Sequence, residues 1–245
     1  MENLEKLEEQ TKRAEKEPHY NFPEIAEMEP AMISLAEKLK DKIEKGEYDT
    51  LISDDVGGRI PTLILREIML GKGRYDNENK LNTFFVAGGR NPDLEALDEY
   101  FKSKASVAGK VLLITECMFS GWSIERLRKL LEKNHIKDFD VASVYSKGEA
   151  MQRFPKQFGL FGKRRGLFYG KKSNSVPSLY GVDKVIGGVK KRSGAQHPFS
   201  LRKGFLESKD VLDNSLGRAT ESQEHVKKAR EDVHTMAERV LEKVW

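Results

Sequence analysis

The sequence predicts an α/β protein with a mainly parallel sheet. Strand-like and helix-like segments alternate over residues 48–145, which is typical of βαβ units with right-handed crossovers. The most informative stretch, residues 109–133, places four apolar residues before a short polar loop and an amphipathic helix. Gly-rich segments also follow two other predicted strands. Ligands of such sheets bind at the carboxyl ends of the strands, so we expect a ligand site where these Gly-rich segments follow the strands.

Residues 1–46 are predicted to form a helical N-terminal extension. Residues 1–16 are charged and helix-compatible, which is typical of a solvated extension or a partner-binding arm. A helix is predicted from about Pro30 to Lys45, with Gly46 as its stop. Its apolar stripe comprises Met32, Leu35, Ala36, Leu39 and Ile43.

The first core strand is predicted at residues 48–53. A Gly-rich loop, residues 53–61, follows it and leads into a helix over residues 62–70. Gly57 and Gly58 permit positive φ and a close approach of a ligand to the backbone. A tight strand-to-helix turn is the alternative interpretation of this loop.

The next strand is predicted at residues 82–87. It ends in another Gly-rich turn, residues 88–92, which carries the basic residue Arg90. Arg90 is interpreted either as a contact for a diphosphate or as a basic side chain exposed to solvent. A helix or a mobile segment is expected over residues 93–104.

The central unit is predicted as a buried strand (111–114), a loop (115–123) and a helix (124–133). The loop contains Ser120 and Ser123 and places backbone N–H groups and hydroxyls at a helix N-terminus, which is a common setting for a bound phosphate. Capping of the helix is the alternative role for these two serines.

The C-terminal half is predicted to begin with a strand at residues 139–145. Residues 147–180 lack clean periodicity and are interpreted as a basic, hood-like insertion, followed by a short strand at 184–189. A basic segment and an amphipathic helix make up residues 191–245, with the helix from about residue 220. This helix is expected to pack on the chain's own body or on another chain.

Charge is unevenly distributed along the chain. Residues 147–209 contain 15 Lys and Arg residues against three acids. Aromatic residues interleave with these bases, and aromatic rings can stack on nucleobases. Nucleic acid is therefore a possible partner of this region, and a charged loop with a few aromatic anchors is the alternative.

Composition excludes several classes of protein. The one cysteine, Cys117, permits no internal disulfide, and a reducing, cytoplasmic location is expected. We expect Cys117 to be a buried small side chain. No apolar run reaches the ~20 residues of a membrane span, and the polar N-terminus is unlike a secretory signal. The five histidines lack metal-ligand spacing, so no protein metal site is predicted.

Residues 111–123, Val-Leu-Leu-Ile-Thr-Glu-Cys-Met-Phe-Ser-Gly-Trp-Ser, resemble the phosphoribosyl-pyrophosphate-binding motif of type I phosphoribosyltransferases. The order of the surrounding elements is similar over residues 48–189. The resemblance implies a parallel-sheet phosphoribosyltransferase-like domain at residues 47–190, with helical extensions on both sides. It also implies a glycosyltransferase of nucleotide metabolism, a possible homodimer, and Mg²⁺ as the cofactor if the protein is catalytic.

The resemblance implies a role for each loop. The 5′-phosphate would be bound by the end of the motif: Ser120, Gly121, Trp122 and Ser123. The ribose hydroxyls would be bound by Thr115 and Glu116, and Glu116 would be the catalytic carboxylate. The pyrophosphate would be bound by the loops after the first two core strands: Asp55, Gly57, Gly58, Arg59 and Arg90.

Three departures from the family's pattern leave two hypotheses open. Thr115 replaces an acid, Glu116 is one methylene longer than the usual Asp, and large rings, Phe119 and Trp122, replace small side chains. The first hypothesis is an enzyme that transfers phosphoribose from phosphoribosyl pyrophosphate to a base. The second is a non-catalytic regulator of the same fold, which binds a phosphorylated metabolite, or nucleic acid through residues 147–209.

Overall fold

The computed structural model describes residues 18–73, 75, 80–86, 94–147, 166–173 and 215–245. Within these ranges the chain is an α/β protein, as predicted, with helices on both faces of one five-stranded sheet. The strands are β1 (Thr50–Asp54), β2 (Asn82–Val86), β3 (Val111–Met118), β4 (Phe139–Ser146) and β5 (Leu167–Lys172). The helices are α1 (Pro23–Ala26), α2 (Glu29–Glu44), α3 (Asp55–Lys72), α4 (Leu94–Lys104), α5 (Trp122–Lys133) and α6 (Ser215–Val244).

The sheet is parallel throughout and has the strand order β2-β1-β3-β4-β5. Ile52 of β1 lies opposite Phe84 of β2 on one side and Leu113 of β3 on the other. After β1 the chain forms β2 on one side and then crosses to the other side to form β3. The boundary between β1 and β3 is therefore the topological switch point, where open parallel sheets bind their ligands.

Each face of the sheet buries its own apolar layer. Helices α2, α3 and α6 cover one face and contribute Leu35, Ile64 and Val240 to a layer that includes Leu112 of β3. Helices α4 and α5 cover the other face, where Phe101 and other side chains meet Val111 and Leu113 of β3, among other strand residues. Burial on both faces explains why the strands read as continuous apolar runs rather than as alternating ones.

The helix predicted at about residues 30–45 is confirmed as α2. All five residues of its predicted stripe are buried. Gly46 ends it as predicted: its φ is 62°, and its N–H donates to the carbonyl of Ile43 at 2.9 Å. This left-handed position favours glycine.

The long C-terminal helix is also confirmed, and it begins earlier than predicted, at Ser215. It packs on α2 and α3, with Val233, Met236 and Val240 buried in the same layer as the sheet. The expectation that it packs on the chain's own body is correct. The described parts of both predicted extensions are thus part of one core. No helix in the described part of the chain is both long and apolar enough to cross a membrane.

The interpretation of residues 147–180 as a hood-like insertion was wrong for its described part. Residues 167–172 form β5, a parallel strand that pairs with β4 and packs on α2. Gly170 permits this packing, because a Cβ there would collide with the carbonyl oxygen of Ala31. The strand signal was the β-favouring run Leu-Phe-Tyr at 167–169, which the surrounding bases obscured.

Two predicted loops are shorter than expected. β3 runs for eight residues, to Met118, so Thr115 and Glu116 belong to the strand and only residues 119–121 form the turn. α3 begins at Asp55, immediately after β1, so the predicted Gly-rich loop is the first part of a helix. The helix extends through two glycines and the strand through Glu116, which have weak intrinsic propensity for those elements. The predicted strand at 184–189 lies outside the described residues.

Candidate functional site

Two helix N-termini reach the switch point from opposite faces of the sheet. α3 starts directly after β1, and α5 starts after the three-residue turn that follows β3. The apolar sides of these helices lie in different layers, so their N-termini flank the ends of β1 and β3. A helix N-terminus carries partial positive charge and N–H groups without intrahelical partners. This edge of the sheet therefore suits an anion.

The turn from β3 to α5 depends on Gly121. Its φ of 74° and ψ of 1° are left-handed, and its carbonyl accepts the N–H of Glu125 at 2.9 Å. Gly121 is thus the N-cap residue, and no side chain caps the helix. The capping role considered for Ser120 and Ser123 was wrong. Ser120 is exposed on the turn that precedes α5.

Ser123 joins α5 to β1 across the switch point. Its hydroxyl donates to Oδ2 of Asp54 at 2.8 Å, and Asp54 is only 6% exposed. Of the predicted phosphate ligands, Ser123 therefore has its hydroxyl proton directed to a carboxylate, while its backbone N–H belongs to the first turn of α5. From sequence, Asp54 and Asp55 could offer carboxylates from the loop after the first predicted strand. The structure places Asp54 at the end of β1 instead.

The predicted ribose ligands lie inside β3. Thr115 and Glu116 are each 5% exposed, and Thr115 lies opposite Ser143 of β4. Burial, with a contribution from the charge of Glu116, raises the pKa of Tyr145 to about 12. The Glu116 carboxylate thus raises the pKa of a side chain on the neighbouring strand, β4. Its assignment as a ribose acceptor and catalytic group stays a prediction.

Cys117 follows Glu116 and is partly buried against the apolar layer. Burial and then the neighbouring Glu116 raise the pKa of its thiol to about 12. A thiol of that pKa is almost entirely protonated at neutral pH and is a poor nucleophile. The structure therefore favours a packing role, close to the expectation from sequence.

The predicted pyrophosphate residues Gly57, Gly58 and Arg59 lie near the N-terminus of α3, after its first residue, Asp55. Neither Gly57 nor Gly58 uses the positive φ that glycine permits. Their role in binding pyrophosphate stays a prediction. A Cβ on Gly58 would lie 2.5 Å from the carbonyl oxygen of Ile114, so this glycine permits close packing of α3 on β3. The guanidinium of Arg59 lies 4.8 Å from the ring centroid of Phe85.

Lys147 is a basic residue near the site that sequence analysis did not single out. Its N–H donates to the carbonyl of Met118 at 3.1 Å, which places it beside the end of β3. Its Nζ lies 5.7 Å from the ring centroid of Phe119. Lys147 directly follows the end of β4, and that position relative to a parallel neighbour was the available signal.

Several predicted residues lie outside the described ranges. They include Arg90 and most of the basic region at 147–209. Among its described residues, Lys171 and Lys172 are exposed on β5. A nucleic-acid interface at 147–209 stays a prediction.

Magnesium prefers oxygen ligands and usually reaches a protein together with phosphates and water. The described residues contain no group of three or more His, Cys, Asp or Glu side chains that would hold a metal ion. Asp54 and Glu116 are 6% and 5% exposed, and Asp54 accepts a hydrogen bond from Ser123. Mg²⁺ as a cofactor of catalysis stays a prediction.

No family model matches the sequence, and no curated protein matches it. Among solved structures, the chain is similar to a hypothetical protein from Neisseria gonorrhoeae whose crystal structure contains bound ppGpp. The two are 18% identical, with a TM-score of 0.41, over 63% of this chain and 81% of that chain. This likeness is too low to carry an argument about function. The resemblance to type I phosphoribosyltransferases therefore rests on the motif and the order of elements.

Proposed function

We propose that this protein binds the phosphate group of a phosphorylated ribose or a nucleotide at the N-terminus of α5. The observation that carries the proposal is the turn at Gly121, which leaves the first N–H groups of α5 uncapped at the switch point of a parallel sheet. Backbone N–H groups and the helix dipole both favour a bound phosphate. The resemblance of residues 111–123 to a phosphoribosyl-pyrophosphate motif supports the same ligand class.

Binding is better supported than phosphoribosyl transfer. An oxocarbenium-like transition state requires nearby carboxylates to stabilise the positive charge that develops on the sugar. Thr115 has no charge, Glu116 is buried within β3, and Asp54 accepts a hydrogen bond from Ser123. If the protein released pyrophosphate from phosphoribosyl pyrophosphate when mixed with purine or pyrimidine bases and Mg²⁺, transfer would replace simple binding as the function.

The test is calorimetric titration with phosphoribosyl pyrophosphate and Mg²⁺, using Ser120→Glu as the disrupting variant. Ser120 is exposed, so the substitution perturbs no packing and places a negative charge on the turn. Repulsion of the phosphate is expected to weaken binding about tenfold or more. Ser106→Glu is the matched control. Ser106 is exposed just before the start of β3, whereas Ser120 follows the end of that strand.

The native protein and the Ser106→Glu control are expected to bind equally. No detectable heat with millimolar ligand would overturn the proposal. Equal affinity of the two glutamate variants would place the ligand elsewhere on the molecule.

A further inference from the structure

Two large aromatic side chains are exposed on either side of Ser120 and Gly121. Phe119 is 51% exposed and Trp122 is 72% exposed. The other exposed large hydrophobic residues in the described part of the chain are aliphatic: Leu70, Leu94 and Val107. Hydration of large aromatic surfaces is unfavourable, and adjacent exposed rings commonly mark a binding surface.

Among the described residues, Lys147 places a positive charge beside one of these rings. Lys147 is exposed, and its Nζ lies 5.7 Å from the ring centroid of Phe119. Trp122 is the first residue of α5, at the positive end of the helix dipole. The acids closest in sequence to the turn, Glu116 and Glu125, are both buried. The surface therefore complements a ligand that is both aromatic and anionic, whereas an apolar peptide would use the rings alone.

We propose that Trp122 and Phe119 stack on the base of a nucleotide whose phosphate lies at the N-terminus of α5. This inference rests on the proposed function and makes nucleotides the preferred ligands, with phosphorylated sugars that lack a base bound more weakly at the same site. Every nucleobase has a flat π-surface that can stack on an aromatic side chain, so stacking requires no hydrogen-bond pattern specific to one base. Trp122 provides the larger ring and the greater exposed area.

The first test compares ribose 5-phosphate with adenosine 5′-monophosphate by calorimetric titration. The native protein is expected to bind the nucleotide roughly 5- to 100-fold more tightly, since stacking contributes to its affinity alone. Trp122→Ala is expected to remove most of that difference, because it weakens binding of adenosine 5′-monophosphate more than binding of ribose 5-phosphate. Trp122→Phe retains a ring and should restore much of the preference. Val107→Ala, at the opposite edge of the sheet, is the control for loss of an exposed apolar side chain.

The second test uses fluorescence, because the chain has only two tryptophans. Trp245 donates from Nε1 to Oε1 of Glu44 at 2.8 Å, at the end of α2 and away from the proposed site. The Trp245→Phe variant therefore leaves Trp122 as the only reporter. Adenosine 5′-monophosphate is expected to quench it in a saturable manner, whereas ribose 5-phosphate should not.

The outcomes separate this inference from the proposed function. Failure of every phosphorylated ribose to bind would contradict both. Equal binding of the two ligands, unaffected by Trp122→Ala, would overturn the stacking inference and leave phosphate binding intact. Sedimentation that shows self-association of the native protein, lost in Trp122→Ala, would assign the rings to an interface between copies of this chain and would also overturn it.

Discussion

At the scale of single residues, the closest packing near the site depends on Gly58. A Cβ at this position would lie 2.5 Å from the carbonyl oxygen of Ile114 and 2.8 Å from Oγ of Ser53. The carbonyl belongs to the sheet backbone and cannot rotate away. Gly58 therefore fixes the depth at which the N-terminus of α3 lies on β3, and with it the position of one of the two helix ends at the switch point.

Gly58→Ala is expected to destabilise the protein by about 1–3 kcal/mol, the usual cost of overpacking a core. The measurement is the free energy of unfolding in urea. Gly71→Ala is the matched control in the same helix, because its Cβ would meet only Leu241 Cδ1 at 3.5 Å. That substitution should stabilise by about 0.5–1 kcal/mol through helix propensity. Similar effects of both substitutions would show that contact with β3 does not constrain position 58.

At the scale of elements, a buried carboxylate on α6 holds the start of the described chain. Asp232 is fully buried and accepts hydrogen bonds from the N–H groups of Asn21 and Phe22, both at 2.8 Å. It also accepts from Nδ2 of Asn21 at 2.9 Å. These bonds satisfy backbone groups just before α1 and connect residues more than 200 positions apart in the chain.

Asp232→Ala is expected to lower the free energy of unfolding by about 1.5–3 kcal/mol, because it leaves two backbone donors without their charged acceptor. The matched control is Glu224→Ala on the same helix. Glu224 is exposed and pairs with exposed Lys228 at 3.1 Å, so its loss should cost at most about 0.5 kcal/mol. Equal small effects in urea unfolding would mean that Asp232 does not secure the N-terminal segment.

A second contact between elements predicts a pH dependence. His234 of α6 lies 3.0 Å from Glu67 of α3 and 3.3 Å from Glu238. These carboxylates raise the pKa of His234 above its usual value near 6.5, and Glu67 has the largest effect. The protonated ring is favoured in the folded state, so the stabilisation is complete below about pH 6.5 and is lost as the pH rises through the folded pKa.

Stability measured between pH 6 and pH 8 should therefore fall slightly with rising pH in the native protein. His234→Gln should remove this part of the slope while leaving the packing of α6 on α3 in place. An unchanged slope in the variant would assign the pH dependence to other groups.

At the scale of the whole molecule, the side of the sheet where the strands begin differs from the side where they end in how charged groups are paired. We call these the amino edge and the carboxyl edge. At the amino edge Glu47 pairs with Lys110 at 2.7 Å and Lys42 at 2.9 Å, which lowers the pKa of Glu47 to about 2. Tyr48 donates to Asp140 at 2.7 Å in the same cluster. The carboxyl edge instead presents an uncapped helix N-terminus and exposed rings. This contrast supports placing the ligand at the carboxyl edge.

Most of the architecture could be predicted from the sequence because apolar runs and amphipathic periodicity determine it. The parallel strands and the stripe of α2 are examples. Element ends could not be predicted, since packing rather than propensity carried β3 past Thr115 and through Glu116. β5 was missed because Leu167–Lys172 is an edge strand whose bases hide a short apolar run. Gly58 was recognised as a close-approach position, but sequence alone could not show that the approaching group is β3.

Backbone amide NMR tests most directly whether a phosphate binds at the N-terminus of α5, because it maps the position of the ligand. Ribose 5-phosphate should be titrated into the ¹⁵N-labelled native protein. We expect the largest, saturable shifts at the amides of Ser120, Gly121, Trp122 and Ser123, since these N–H groups would receive the phosphate. Absence of shifts at millimolar ligand, or shifts confined to residues 166–173 on β5, would contradict this expectation.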